Sequence, residues 1–313
     1  MPTISIRQHG VSASRNQTVV NPVTGEIVKL TAFNQPERTA TRGWTPNVAR
    51  RNEQRLQQID FDAVDGFPAF VTLTMPSGQM GDVSAADFHG WLKRWLQFMK
   101  RHGLQHYYWI LEFQASGNPH LHVLVWLDHD WDALEQFKAL RSWVNMLNKS
   151  GVGARLQGQI WESIDVGGVI TVDGKPVPAH PERVLMYLAK HAARGVAHYQ
   201  RQIENMPEDW KYRSGRVWGH DRGLPLCAQQ DVETDYPTFH RFRRLVRRWR
   251  LAEARGIKDA DRRRQAIVQA RRSLRCGRRD VSPYRGVSAW IPSDVASALL
   301  DAAEAMGGDY EED

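Results

Sequence analysis

Apolar positions in the middle of the chain change between strand-like and helix-like spacing. FPAFVTLTMP (67–76) holds a short run of apolar and threonine residues that predicts a strand. Apolar side chains then recur at spacings of three and four over 88–99, behind the capping residue Ser84, so a helix follows. HYYWILEFQ and PHLHVLVWL, joined by a turn at 115–118, predict two paired strands.

The pattern continues beyond this hairpin. A second helix is predicted from about Asp132 to Leu147, a strand over 155–164, a small hairpin over 169–177 and a third helix over 181–197. The order strand–helix–strand–strand–helix–strand is that of the split βαβ unit. We therefore predict an α+β, ferredoxin-like fold, in which helices cover one face of a central antiparallel sheet and the other face can hold a site.

The two ends of the chain differ from this central part. Residues 1–55 predict an irregular polar and basic arm, with at most one early hairpin and a basic helix that starts near Val48. Residues 56–230 form the predicted central domain. Residues 231–313 predict a basic helical region that ends in an acidic tail.

Composition narrows the class of protein. The 313 residues are 42% hydrophobic and carry a net charge of +7, so a packed core and a polyanionic partner are both favoured. Two cysteines are too few for a disulfide scaffold, which favours a reducing cytoplasm. The apolar run 123–127 is too short for a membrane span. Because the chain also lacks a P-loop motif, an appended ATP-driven helicase is not expected.

Two histidines in the predicted hairpin suggest a metal site. His120 and His122 are two positions apart on a strand, so both imidazoles project from the same face. If the hairpin pivots around Ser116, Glu112 pairs directly opposite His120, and the three side chains converge. Open coordination positions would make this a catalytic site, and the ligand chemistry allows zinc, manganese or iron. The alternative is a half-buried strand with two outward polar residues.

The predicted third helix contains a candidate nucleophile. Arg183, Tyr187, Lys190 and Arg194 follow one another at spacings of four, three and four, so they share one helix face. A phenol has a pKa near 10, and neighbouring cations favour its phenolate and balance the charge of a phosphoryl group in transfer. The alternative is a surface tyrosine among solvated basic residues.

The stretch 240–280 interleaves arginines with apolar residues and predicts an amphipathic helix that contacts phosphates. A merely solvated helix face is the alternative. Together with Arg183 and Arg194, the predicted DNA contacts are Arg241, Arg243, Arg244, Arg247, Arg248 and Arg250.

Four segments resemble the HUH endonucleases, above all the rolling-circle replication initiators of filamentous phages and plasmids. FVTLTMP (70–76) resembles their first motif, and EFQASGNPHLHVLVW (112–126) resembles their metal motif. VLMYLAK (184–190) resembles the motif of the catalytic tyrosine, and RSGRVWGHDRGLP (213–225) resembles the segment that follows it. The resemblance covers roughly residues 66–225.

The resemblance implies a site- and strand-specific nickase and strand transferase. Tyr187, assisted by Lys190, would form a 5′-phosphotyrosine and release a 3′-hydroxyl. Mg²⁺ or Mn²⁺ would be held by Glu112, His120 and His122. The implied partners are single-stranded or supercoiled double-stranded origin DNA with a stem-loop, a host helicase and a host polymerase, in the bacterial cytoplasm and without membrane contact.

One departure from the resemblance concerns the number of tyrosines. Initiators with two catalytic tyrosines carry them one helical turn apart, and the second position here is His191. The chain is therefore expected to use one tyrosine, and Tyr199 is not expected to replace a second one.

Other classes remain open at this stage. A plasmid-mobilisation relaxase and a single-tyrosine transposase use related chemistry, although relaxases usually show a third histidine ligand and an N-terminal tyrosine. A zinc hydrolase would need further ligands on later strands of a parallel barrel, and that alternation is absent. A non-catalytic DNA-binding protein on the same fold would bind DNA without metal and without cleavage.

Overall fold

The computed structural model describes residues 2–15, 18–20, 27–29, 43–76, 83–164, 169–172, 175–178, 198–274 and 287–307. The strands are β1 (Pro2–Arg7), β2 (Gly10–Arg15), β3 (Thr18–Val20), β4 (Ile27–Lys29), β5 (Phe67–Thr74), β6 (Leu104–Phe113), β7 (Pro119–Leu127), β8 (Ile160–Ser163), β9 (Val169–Val172), β10 (Lys175–Pro178), β11 (Trp218–His220), β12 (Gln230–Glu233) and β13 (Val287–Trp290). The helices are α1 (Pro46–Leu56), α2 (Ala85–Arg101), α3 (Ala133–Lys149), α4 (Trp210–Arg213), α5 (Tyr236–Gly256), α6 (Ala260–Arg272) and α7 (Ser293–Ala305). The predicted third helix over 181–197 lies outside the described residues.

One compact unit comprises residues 38–56 and 60–226 and contains a five-stranded sheet. Its strand order is β11-β6-β7-β5-β8, and all neighbouring pairs are antiparallel. With the added edge strand β11 set aside, the order is that of the split βαβ unit, because β7 lies between β5 and β6. The predicted α+β fold is therefore confirmed, and the predicted hairpin over 169–177 is present as β9 and β10.

The two long helices of this unit pack on one face of the sheet. Ser84 and Asp87 form a capping box that starts α2, as the sequence predicted for Ser84. The Trp95 indole of α2 donates a hydrogen bond of 3.0 Å to the Ala139 carbonyl of α3. His89 of α2 lies 6.0 Å from the ring of Trp109 on β6, so the helices cover the sheet face on which Trp109 projects. The even-numbered neighbours Ile110 and Glu112 project from the opposite face.

The strand predicted over 155–164 is shorter than expected. Residues Leu156–Gly158 form a 3-10 turn, and only Ile160–Ser163 pairs with β5. The side chain of Gln159 replaces part of the missing ladder, because its amide bonds both backbone groups of Thr74.

The second compact unit comprises residues 1–37, 57–59 and 227–313. It contains the sheet β12-β1-β2-β13 and the helices α5, α6 and α7. The early hairpin that the sequence allowed within residues 1–55 is present at Pro2–Arg15 and belongs to this sheet. Ile4 and Ile6 share a hydrophobic core with Phe239 and Phe242 of α5. The hairpin acquires a core only from residues at the other end of the chain.

The basic region forms two helices where the sequence suggested one. The helix α5 ends at Gly256, and Asp259 caps α6 by accepting a hydrogen bond from the Arg262 amide. This new cap satisfies the first amides of α6 and allows the chain to change direction. Within the ranges that the structure describes, no helix is long and apolar enough to cross a bilayer.

Candidate functional site

The β6–β7 hairpin sets the positions of the candidate metal ligands. Glu112 pairs with His120, and Ile110 pairs with His122. The predicted register is therefore confirmed. Because alternate residues of a strand share a face, Glu112, His120 and His122 all project from the sheet face opposite α2 and α3. Leu121, between the two histidines, is fully buried on the helix side.

Two threonines of the neighbouring strand β5 each contact one ring nitrogen of a histidine. Thr74 pairs with His120 in register, and its Oγ1 is hydrogen-bonded to His120 Nδ1 at 2.9 Å. Thr72 pairs with His122, and its Oγ1 lies 3.3 Å from His122 Nδ1. Metal-binding histidines typically use one nitrogen for the metal and the other for an oxygen of the protein. The two threonines fill the second role and orient both rings.

On the other side of the histidines, Glu112 forms a buried ion pair. Its Oε1 accepts a hydrogen bond of 2.9 Å from Arg201 Nε, and both side chains are completely buried. The guanidinium of Arg201 also lies 3.9 Å from the ring centre of Trp44. The Trp44 indole donates to the Leu111 carbonyl at 2.8 Å, so it is anchored to the strand that carries Glu112. The Glu112 carboxylate therefore has a buried cationic partner.

The second oxygen of Glu112 faces the histidines. Its Oε2 lies 3.7 Å from His122 Nε2, and the two imidazole rings are 4.5 Å apart at an angle of 82°. Two imidazole nitrogens and a carboxylate oxygen are donors that suit Mn²⁺, and the threonine contacts orient the rings for such a role. The donor chemistry therefore fits a divalent cation.

The arrangement is not, however, a preformed ligand set. Among the residues that the structure describes, no group of three histidine, cysteine, aspartate or glutamate side chains is arranged to hold a metal ion. The metal role of Glu112, His120 and His122 accordingly stays a prediction.

The predicted nucleophile and its basic neighbours, Tyr187, Lys190, Arg183 and Arg194, lie outside the described residues. Tyr108 is a tyrosine on the site face of β6, but burial raises its pKa well above the ordinary value of 10.0. Its hydroxyl donates a hydrogen bond of 2.8 Å to Asn52 Oδ1. Tyr108 is therefore poorly suited to act as a nucleophile.

The predicted DNA contacts on α5 divide into two groups. Arg241, Arg243 and Arg250 donate to the backbone carbonyls of Ala303, Leu274 and Trp290, respectively. Arg243 is only 7% exposed, so it has a structural role and the prediction of a phosphate contact is corrected for this residue. Arg244 and Arg248 are exposed, and Arg247 is half-buried.

Sequence reasoning missed four residues that surround the ligand candidates. Thr72 and Thr74 could have been found, because they alternate in FVTLTMP at the same spacing as the two histidines. Arg201 and Trp44 carry no comparable signal. Arg201 ends the 3-10 turn Tyr199–Arg201, and Trp44 precedes α1, so neither position follows from strand or helix periodicity.

A split βαβ sheet with two histidines and a glutamate on one face is consistent with the HUH class of replication proteins, and comparison with known proteins shows the family of the chain. The family model for the replication-associated protein ORF2/G2P matches residues 68–162, which include the β6–β7 hairpin and most of β5 and β8. The chain belongs to this family of replication-associated proteins, and the resemblance to rolling-circle replication initiators is confirmed.

The relatives match over nearly the whole chain. A protein of Xylella fastidiosa (strain 9a5c) that is assigned by name as a replication protein is 31% identical to this chain. The match covers 96% of this chain and 95% of the length of that protein. A second one, from Xylella fastidiosa (strain Temecula1 / ATCC 700964), is 32% identical over 93% of this chain and 99% of its own. The replication-associated protein G2P of Pseudomonas phage Pf3 is 28% identical over 88% of this chain and 90% of its own. No solved structure gives a significant match.

Proposed function

We propose that this replication initiator nicks one DNA strand with Tyr187 as the nucleophile and a divalent cation at Glu112, His120 and His122. One observation carries the proposal. The sheet register brings the carboxylate and both imidazoles to one face, and Thr72 and Thr74 hold the Nδ1 atom of each imidazole. In metal-binding histidines, such a hydrogen bond to one ring nitrogen orients the ring and leaves the other nitrogen for the metal.

The cleavage step exchanges one ester bond for another. The phenol oxygen of Tyr187 forms a bond to the scissile phosphorus, and the bond from phosphorus to the 3′-oxygen breaks. The phenol proton is lost to solvent or to a nearby base, and the departing 3′-oxygen takes up a proton. Lys190, three positions after Tyr187 in the sequence, balances the negative charge of the phosphoryl group. A bound cation supplies Lewis-acid polarisation of the scissile phosphate.

The covalent product makes resealing independent of ATP. The 5′-phosphotyrosine retains the energy of the phosphodiester, so a 3′-hydroxyl can attack it and regenerate both a closed strand and the phenol. The hydroxyl released by the first cut can prime a host polymerase, and a host helicase would unwind the duplex. With His191 in place of a second tyrosine, termination requires another subunit, a second use of Tyr187, or hydrolysis.

DNA affinity is proposed to come in part from the exposed arginines of α5 and α6. The exposed members of this set are Arg244, Arg248, Arg255, Arg262, Arg264, Arg271 and Arg272. Arginines of this kind contact phosphates without reading sequence and make binding salt-dependent.

The test is a cleavage assay on single-stranded DNA that carries the replicon's origin region. Wild type is compared with Tyr187→Phe and with the matched control Tyr199→Phe, because Tyr199 is 53% exposed and lies outside the motif 184–190 that carries Tyr187. Each protein is assayed with Mn²⁺ and with EDTA on a denaturing gel. We expect a metal-dependent nick and a covalent DNA adduct with wild type and Tyr199→Phe, and neither with Tyr187→Phe.

Two results would contradict the proposal. Cleavage that survives in Tyr187→Phe but disappears in Tyr199→Phe would move the nucleophile to Tyr199. Cleavage by wild type in EDTA would remove the cation from the mechanism.

The ion pair between Glu112 and Arg201 favours a second candidate, DNA binding without cleavage. A carboxylate that already has a buried cationic partner does not need a metal for charge balance. This candidate predicts tight, metal-independent binding of origin DNA and no adduct in any of the three proteins.

A further inference from the structure

A cleft opens beside the candidate metal site, at the ends of β5 and β6. It has a volume of about 500 Å³. It is lined by Thr74 and the two residues that follow it, and by Gln114, which follows the end of β6. The loop between α3 and β8 completes the lining and contributes Arg155, Gln157 and Gln159.

The cleft and the candidate metal site share Thr74. The side-chain Oε1 of Gln159 accepts a hydrogen bond of 2.8 Å from the backbone N–H of Thr74. The side-chain Nε2 of Gln159 donates one of 3.0 Å to the backbone carbonyl of Thr74. The hydroxyl of the same threonine is bonded to His120 Nδ1 at 2.9 Å. A ligand in the cleft is therefore adjacent to the residues that would hold the reacting phosphate.

The chemistry of the lining suits a nucleotide. Arg155 and Gln157 are exposed, and neither side chain bonds to another residue within the described part of the chain. Gln159, in contrast, is buried and fully engaged with the backbone. Among the described residues, the lining contains the cation of Arg155 and no acidic side chain. Guanidinium groups bind phosphates, and glutamine amides pair with the edges of bases.

We propose that this cleft is a nucleotide subsite for the base that flanks the scissile phosphate in single-stranded DNA. Arg155 binds the phosphate of that nucleotide, and Gln157 and Gln114 read the base edge. A pocket of this kind takes an unstacked base, which single-stranded DNA offers and a stacked duplex does not. The inference rests on the proposed function, since it assigns part of the sequence preference of the nick to this loop.

Binding is tested separately from cleavage. The full-length protein with Tyr187→Phe is incubated with a pool of random single-stranded oligonucleotides, and the bound fraction is sequenced to obtain the base preference at each position. Arg155→Ala and Gln157→Ala are added to this background. The matched controls are Arg101→Ala and Gln97→Ala, two exposed residues of α2 on the other face of the sheet. Thermal unfolding verifies that every variant is folded.

Each cleft variant has its own expected result. Gln157→Ala should remove the preference at one position, which is a loss of about tenfold in discrimination between bases. Arg155→Ala should weaken binding to all sequences and lower the salt slope by about 0.7. Both controls should keep the affinity and the base preference of the Tyr187→Phe parent.

Unchanged base preference and affinity in both cleft variants would overturn the subsite, whatever the cleavage assay shows. A change of the same size in Gln97→Ala or Arg101→Ala would also overturn it, because the effect would not be local. Conversely, a preference lost only in Gln157→Ala supports the subsite even if wild type fails to nick. Failure of the nicking proposal and failure of the subsite are thereby distinguishable.

Discussion

The sheet face around Glu112 and the arginine-rich helices α5 and α6 both contain arginines in regions proposed to act on DNA, but the surroundings of those arginines differ. On the sheet, Arg201 is 2% exposed and its guanidinium is enclosed between Glu112 and Trp44. On the helices, Arg244 and Arg248 extend into solvent. A dense run of arginines thus contains mainly solvated charges, whereas a lone arginine outside any motif supports the site.

The physical difference is desolvation. A buried charge depends on its partner, because removal of either member leaves the other in a medium that cannot solvate it. An exposed charge has water as its partner, so its loss hardly affects folding but removes a counterion contact with DNA. The comparison therefore separates two observables, the free energy of unfolding for the sheet and salt-dependent DNA binding for the helices.

The largest effect is expected at Arg201. Arg201→Met leaves the Glu112 carboxylate buried without its cation and should lower the free energy of unfolding by about 3–5 kcal/mol. Urea unfolding measures this change. The double variant Arg201→Met/Glu112→Gln should recover part of the loss. If Arg201→Met lowers the free energy of unfolding no more than Arg248→Ala does, the ion pair does not stabilise the site, and buried and exposed arginines do not differ as proposed.

Thr74 tests whether the threonine contacts serve a bound cation. Thr74→Val removes the hydroxyl from His120 Nδ1 and should weaken Mn²⁺ binding about 10- to 100-fold, because outer-sphere hydrogen bonds orient the ligating imidazole. Isothermal titration calorimetry measures the affinity. Ser142→Ala, which removes a hydroxyl on α3, is the control and should bind Mn²⁺ as wild type does. Equal affinities in all three proteins would contradict the metal assignment.

Within α5, adjacent arginines should behave oppositely. Arg243 donates to the Leu274 carbonyl at 2.7 Å and packs against the ring of Phe239, so Arg243→Ala should cost about 2 kcal/mol of stability. Arg244, the next residue, is exposed, so Arg244→Ala should change the free energy of unfolding by no more than about 0.5 kcal/mol. Denaturant midpoints of the two variants measure the difference. Similar midpoints would show that burial does not distinguish them.

Asp221, just after β11, is an intermediate case whose contribution depends on pH. Burial raises the pKa of its carboxyl, but hydrogen bonds from Lys100 and His106 outweigh this effect and hold the pKa below its ordinary 3.8. A depressed carboxyl pKa stabilises the fold above the unfolded pKa, and this stabilisation is lost as pH falls through the folded pKa. Asp221→Asn should therefore cost about 1 kcal/mol near pH 7. The difference from wild type should shrink below about pH 3.8, as acid unfolding curves would reveal.

The smallest effect on folding is expected from the exposed arginines. Arg244→Ala/Arg248→Ala should leave the unfolding midpoint almost unchanged. The same variant should lower the salt slope of duplex binding by about 0.9 for each phosphate contact that is lost. Fluorescence anisotropy over a range of NaCl concentrations measures this slope. A slope equal to that of wild type would mean that these two arginines contribute nothing to DNA binding.

Local patterns were sufficient for the hairpin and its register. The alternation in PHLHVLVWL and the short turn before it predicted that Glu112 faces His120, because strand pairing across a tight turn depends on residues close in sequence. The caps of α2 and α3 were likewise predictable, since Ser84 and Asp132 act on their own helices.

Long-range packing could not be predicted in the same way. The sheet and core that the N-terminal hairpin joins were not predicted, because they come from residues 230–233, 287–290 and α5. Arg243 was taken for a DNA contact, because its arginine neighbours gave no sign that its acceptor is the carbonyl of Leu274. Neither partner has a fixed spacing in sequence.

By itself, the sequence determined the split βαβ order, the facing of Glu112 and His120 and the membership of the replication-associated family. Only the tertiary structure decided which charges are buried. It paired Arg201 with Glu112, joined Thr74 to both His120 and Gln159, and divided the arginines of α5 into structural and exposed groups. The reason is that periodicity reports which face a residue occupies, whereas desolvation depends on what covers that face.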